Sequence, residues 1–187
     1  MPLNKTRLSQ FRNAGFQRGA PIWKEVLWYF TNVLFFINPL VPFSRIKVFF
    51  LRWFGAQLGE GIIIKPGVNI KFPWKLAIGD HTWIGERVWI DNLAQVEIGA
   101  NVCVSQGAML LCGNHNYTKP AFDLITGPIT LEEGVWIGAR SVVCLGVTCH
   151  SHAVLVVGSV AVNDLEAYAI YQGNPAVKKR SRVIEER

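Results

Sequence analysis

Cysteine is scarce in this 187-residue chain, and the four residues at 103, 112, 144 and 149 form no Cys-x-x-Cys pair. That spacing offers neither a disulfide framework nor a thiolate metal knuckle. No secretory leader is read at the start, so reduced thiols in a cytoplasmic compartment are expected, and the sequon Asn116-Tyr117-Thr118 is then coincidental. Acid is almost missing from residues 1–54, where Glu25 alone stands against eight Lys or Arg. No basic patch there interleaves with a reader motif, so nucleic acid is not expected as a partner. A bilayer-crossing run is missing too. The most apolar stretch, 26–37, is broken by Thr31 and Asn32 and falls short of the ~20 residues that a spanning helix needs. Helical periodicity is absent from 58 to 166, which argues against a two-layer α/β sheet.

What fills that region is a six-residue repeat. Its first positions fall at Leu58, Ile64, Ile70; Ile78, Ile84, Ile90; Ile98, Val104, Leu110; Leu131, Ile137, Val143; and Cys149, Leu155, Ala161. Thirteen of these fifteen are Leu, Ile or Val, types that fill only 52 of the 187 positions. Every departure from the period follows the third hexad of a group. Three hexads therefore make one turn of 18 residues, and the chain is expected to wind as a parallel β-helix whose aliphatic columns are buried by stacking. Fifth positions such as Val68, Thr82, Val102, Ala108 and Ser141 are small or branched, which suits a tight corner. Gly79, Gly85, Gly99 and Gly138 at second positions let neighbouring backbones approach. Trp74 and Leu165 fit poorly, so the first and last coils are expected to be irregular.

Before the coils, residues 1–21 are polar and basic and are expected to run extended or disordered over the surface. Eleven of the 22 aromatic residues then crowd into 22–54. A helix is predicted from Trp23 to Ile37, ended by Pro39 and Pro42, and another from Ser44, as N-cap, to Phe54 before Gly55. Two roles fit: the helices cap the first coil's open edge, or they also rest on a membrane surface, with Lys24, Arg45, Lys47 and Arg52 near anionic lipid. The chain thus divides into a basic aromatic helical cap (1–54), a β-helix (55–166) with a protruding loop (111–130), and a C-terminal segment (167–187).

That loop, within LCGNHNYTKPAFDLITGPI, inserts 15 residues at the third corner between coils three and four. Long loops in compact domains are commonly functional. His115 occupies the sixth place of the hexad begun by Leu110, at a corner of the coil, where an imidazole is suited to general-base work.

The hexads, this loop, the following VWIGARSVVCLGVT and the closing YQGNPAVKKR together resemble the hexapeptide-repeat acyltransferases, in particular the colanic-acid-biosynthesis (WcaF-type) branch of sugar O-acetyltransferases. The resemblance spans about residues 20–187. It implies an all-β, left-handed parallel β-helix of about five coils with N-terminal helices and a C-terminal basic tail. It implies also a homotrimer, acetyl-CoA in the groove between neighbouring subunits and His115 as catalytic base. Handedness comes from the resemblance alone, since crossover connections are normally right-handed. The acceptor would be a saccharide hydroxyl, on a free or lipid-linked glycan. Relatives hold the pantetheine arm along coils that map here to Trp136, Gly138, Ala139 and Val157. The nucleotide end would meet Lys178, Lys179 and Arg180, because phosphates want cations. Where relatives place Lys after the Pro-Ala pair this chain has Val177, and where sugar acetyltransferases place an Asn it has Gly85-Glu86. Asn92 and Asn114 are then the candidates for oxyanion donor, and Asp91 or Glu86 for orienting His115 or holding sugar hydroxyls.

Other chemistries compete. Cys112, three residues from His115, offers a covalent nucleophile. A zinc hydratase would need three His around one ion, and His81 and His152 lie three coils apart, ~14 Å at strand spacing. No metal is expected within a subunit. A non-catalytic trimeric scaffold or sugar-binding protein is the alternative of a different class.

Overall fold

The hexad's first residues form the core. In the computed structural model, which describes residues 5–12 and 15–185, fourteen of the fifteen are buried, and Leu58, at the capped end, is half-buried. Each turn lays down three short strands, one per face. The first face stacks Gln57–Leu58, Leu76–Ile78, Val96–Ile98, Ile129–Leu131 and Thr148–Cys149. The second stacks Ile63–Ile64, Trp83–Ile84, Cys103–Val104, Trp136–Ile137 and Val154–Leu155, and the third runs from Asn69–Ile70 to Val160–Ala161. All these pairings are parallel and in register, so that Ile64, Ile84, Val104, Ile137 and Leu155 stand in one column. Burying such a side chain contributes ~1.5–3 kcal/mol, and stacking identical positions lets each rung complete the next one's burial.

The corners carry a signal that the hexad reading did not use. At the fourth place the backbone is left-handed in eleven of the fifteen hexads, through six glycines and through His81, Arg87, Asn101, Arg140 and His152. The four exceptions, Pro73, Leu93, Gly113 and Asp164, all follow the third face, the corner where residues are inserted. Glycines at the second place act differently. A Cβ on Gly79 or Gly138 would lie 2.5 Å from the backbone nitrogen of Ala100 or Val157 in the next coil.

The C-terminal segment corrects one expectation. It is a β-hairpin, not a tail: Ala169–Gly173 pairs in parallel with Val154–Leu155 as a sixth rung on the second face, and Ala176–Ser181 returns antiparallel beside it. The solenoid thus has five full turns and the start of a sixth.

At the other end the helices cover the first coil. Helix α1 (Ile22–Thr31) continues into a wider π-helical turn, Asn32–Ile37, and helix α2 (Ser44–Trp53) follows, with Gly55 left-handed just beyond it. The first coil has no rung beneath it, so its backbone groups need partners from elsewhere. Side chains supply them: Trp28 Nε1 donates to Ile70 O at 2.8 Å, and Lys47 Nζ to Lys65 O at 2.9 Å. Ser44 was expected as an N-cap but makes no cap bond. Its hydroxyl instead accepts from Ile64 N at 3.0 Å, joining the cap to the coil. Among the described residues no helix is long and apolar enough to cross a membrane.

Lys47 is fully buried, and that burial pushes its ammonium down to about 8. With the folded value below the unfolded one, the folded chain binds fewer protons between about pH 8 and 10.5. The cost of burying the charge is therefore greatest below that window and is relieved as pH rises through it. Lys47→Met should accordingly destabilise the protein less at pH 7.5 than at pH 10, by up to about 3 kcal/mol, in urea unfolding. An equal penalty at both values would show that the amine is solvated.

Candidate active site

His115 ends the first strand of a hairpin, Gly113–His115 paired antiparallel with Leu124–Thr126, that rises from the third corner. It therefore sits at the base of the protruding loop and not on the coil itself. Its ring is fixed from two sides. Nδ1 lies 2.9 Å from the carbonyl oxygen of Phe122, which can only accept, so Nδ1 carries the proton and Nε2 in the neutral ring is the free base. The Phe122 ring stacks on the imidazole at 4.4 Å and 9°, and left-handed backbone at Phe122 (φ 54°) accompanies this double contact. Phe11, from the N-terminal segment, meets the ring at 5.8 Å. Among the described residues no carboxylate bonds the imidazole, contrary to the expectation for Asp91 or Glu86; the Nδ1 partner is the Phe122 carbonyl.

The four polar candidates separate. Asp91 does lie with His115, in a cavity of about 420 Å³ that is also lined by Phe11, Phe16, Arg18, Lys71 and Phe72. Its Oδ1 is 3.1 Å from Lys71 Nζ but is buried without an aligned hydrogen-bond donor. Asn114 is exposed, and its Oδ1 accepts from His115 N at 2.8 Å, which leaves its NH₂ as a donor. Asn92 is a correction. It is fully buried, its Oδ1 accepts from Phe72 N and its Nδ2 donates to Phe72 O and Lys75 O, so it braces the first insertion and faces no substrate. Glu86 sits at the opposite edge of the third face, in a cavity with Lys65, Ser105 and Gln106. The fold does not bring it to His115.

Trp136, Gly138, Ala139 and Val157 do come together, lining a groove of about 390 Å³ along the second face with Ser105 and Gln106. Trp136 Nε1 donates to Ser105 Oγ at 2.9 Å, holding the indole over the groove's edge. The same sheet carries Lys178, Lys179 and Arg180 on its outermost strand, all exposed. Lys178 is engaged at 2.6 Å with Glu166, whose carboxylate raises the ammonium's pKa, while Lys179 and Arg180 make no ion pair among the described residues. The groove and the His115 cavity share no lining residue. One protomer does not by itself join them.

Cys112 lies fully inside the coil, and burial, with Asp91 nearby adding to it, pushes its thiol up to about 11. Such a thiol is no nucleophile near neutral pH. Among the described residues no three His, Cys, Asp or Glu converge where a metal ion could be held. His81 and His152 instead occupy left-handed corners, and His150 Nδ1 donates to Glu132 Oε1 at 2.9 Å.

No protein-family model matches the sequence. The acetyltransferase WcaF of Escherichia coli K12, named for colanic acid biosynthesis, is 35% identical over 172 residues, covering 92% of this chain and 94% of its own. The hexapeptide-repeat acetyltransferase VCA0836 of Vibrio cholerae, solved with acetyl-coenzyme A, superposes with a TM-score of 0.70 at 27% identity, over 76% of this chain and 79% of its own. The chain belongs to the hexapeptide-repeat acetyltransferases. It is accordingly an enzyme of acyl transfer, which sets aside the non-catalytic scaffold. A galactoside O-acetyltransferase of Escherichia coli K12 is 28% identical over 134 residues, 70% of this chain and 64% of that one.

Two contributors to the site escaped the sequence. Phe122 acts through its carbonyl, which no side-chain pattern announces, and Phe11 arrives from over a hundred residues away. Lys71 was findable, since it and Asp91 hold the same hexad place one coil apart. With the thiol sealed in, Cys112→Ala should leave acetyl transfer unchanged and lower stability by about 1–2 kcal/mol through its small cavity. Loss of turnover in a folded Cys112→Ala protein would reinstate covalent catalysis.

Proposed function

We propose that this hexapeptide-repeat enzyme transfers the acetyl group of acetyl-CoA to a hydroxyl of a saccharide during surface or exopolysaccharide synthesis. The observation that carries the reading is the His115 imidazole, tethered through Nδ1 so that Nε2 is presented as a base beside an aromatic and carboxylate-lined cavity. The Escherichia coli relative's assignment to colanic acid supports the polysaccharide context.

In this reading the acceptor hydroxyl gives its proton to His115 Nε2 as its oxygen bonds to the thioester carbon. The carbon–sulfur bond then breaks, and the departing thiolate takes the proton back. Asp91 receives the acceptor's hydroxyls, and Asn114 offers its amide to the developing oxyanion. Trp136, Gly138, Ala139 and Val157 hold the pantetheine arm, while Lys179 and Arg180, with Lys178 beside them, attract the nucleotide phosphates. Glu86 lies in a separate cavity and takes no part in this step. Because groove and imidazole lie on different faces, the working unit is a homotrimer that sets one protomer's groove against the next protomer's loop.

His115→Ala should cut turnover by ~10²–10⁴-fold with the fold intact. Ala139→Trp should block the groove, and co-expressing the two variants should recover a fraction of wild-type activity in mixed trimers. No recovery, with both variants assembled, would place groove and base in the same protomer.

The helical cap adds a second element. Along α1 and the π-helical turn that continues it, Trp23, Leu27, Phe30 and Leu34 are all exposed, whereas Trp28 and Phe36 are buried. Leu40 and Phe43, between the helices, are 84% and 63% exposed. With the basic excess of residues 1–54, this outward apolar stripe fits peripheral contact with an anionic, cytoplasm-facing membrane surface and hence a lipid-linked acceptor. Sedimentation with vesicles containing anionic lipid should capture the wild type, and Phe30→Glu/Phe43→Glu should abolish capture while the trimer persists. Equal sedimentation of both proteins would remove the membrane from the account.

A further inference from the structure

Ahead of α1 the described residues run over the surface, as expected, but are pinned to it. Arg7 N donates to Pro120 O in the catalytic loop at 2.7 Å, and Phe11 lies on His115. Further on, Phe16 packs on Phe72 at 6.4 Å, Lys75 Nζ donates to Gln17 O at 2.6 Å, and Trp74 Nε1 donates to Arg18 O at 2.7 Å. These contacts fasten residues 7–11 and 16–18, which supply the wall of the His115 cavity with Phe11, Phe16 and Arg18.

The chemistry of that wall is specific. Its two cations are each matched by a carboxylate, Arg18 with Glu25 at 3.0 Å and Lys71 with Asp91 at 3.1 Å. Among the lining residues the charges therefore pair off, and the Lys75 ammonium beside them is engaged by the carbonyls of Gln17 and Leu93, each at 2.6 Å. The rest of the lining is apolar, from Leu93, Leu124 and the rings of Phe11, Phe16 and Phe72; Lys75 Nζ lies over the Phe16 and Phe72 rings, at 5.0 and 5.4 Å, and among the described residues no cation lies over Phe11. Aromatic faces beside a carboxylate with an unaligned oxygen suit a ring that is apolar on its C–H face and bears hydroxyl donors at its edge.

We propose that the N-terminal segment is a built-in wall of the acceptor site, and that Phe11 is its specificity-determining residue, presenting an aromatic face to an uncharged sugar ring. This rests on the saccharide O-acetyltransferase reading. Phe11 meets His115 and the cavity at once, so the sugar that it seats is held with a hydroxyl toward Nε2.

The test is steady-state kinetics of the full-length protein with acetyl-CoA and the methyl glycosides of glucose, galactose and fucose, with methyl glucuronide as the charged comparison. For the wild type, transfer to a neutral glycoside and not to the glucuronide is expected. Phe11→Ala should raise the acceptor KM about tenfold, with the KM for acetyl-CoA and the pH profile of kcat unchanged. Phe11→Tyr should restore the acceptor KM and Phe11→Leu should not. The proposal is overturned if the loss in Phe11→Ala falls on kcat with a shifted pH profile, if Leu restores as well as Tyr, or if the glucuronide is the preferred acceptor. A wild type that acetylates no glycoside would sink the underlying reading together with the proposal; an active wild type with an unaltered Phe11→Ala would sink the proposal alone.

Discussion

The in-register hydrogen bonding of one rung to the next is the constraint on which everything else depends. Each coil satisfies its backbone and completes its aliphatic column only against its neighbours, as in the run from Ile64 to Leu155. Such a stack is indifferent to what its corners carry but intolerant of an unpartnered end. The two ends are accordingly treated by different means. The first is covered by helices whose Trp28, Lys47 and Ser44 reach in to bond strand backbone. The last is closed by a hairpin that turns a sixth parallel strand back on itself.

Rigid stacking also explains why the chemistry gathers at the third corner. The first and second corners repeat a left-handed turn with almost no variation, which fixes their length. The third corner lacks that turn in four coils of five, and it absorbs the two-residue insertions, the Asn92 brace and the hairpin that carries His115. An imidazole there gains a fixed base beneath it and freedom of shape above it. Its ring is held through Nδ1 by a carbonyl of its own loop.

Burial sorts the candidates that residue type alone could not. Asn92 and Asn114 are the same side chain near the same corner, yet one has both ends of its amide spent on Phe72 and Lys75 and the other is exposed beside His115. Asp91 and Glu86 are both acids at edges of the third face, but the face's width separates them into different cavities. Cys112 and His115 are three residues apart and point to different worlds, since the coil's inward position raises the thiol beyond use.

The sequence by itself determined the solenoid, its three faces, the five-coil register, the corner that opens and the histidine within the opening, because a period of six is a local property written into each rung. The groove of Trp136, Gly138, Ala139 and Val157 came instead from the family resemblance, and the stacking of the second face is what brings the four together. Only the folded chain shows that the Phe122 carbonyl holds the imidazole, that Phe11 and Phe16 line the His115 cavity, and that Lys47 and Ser44 serve the open edge. Those contacts join positions with no shared period, over separations where chain geometry, and not pattern, decides which groups meet.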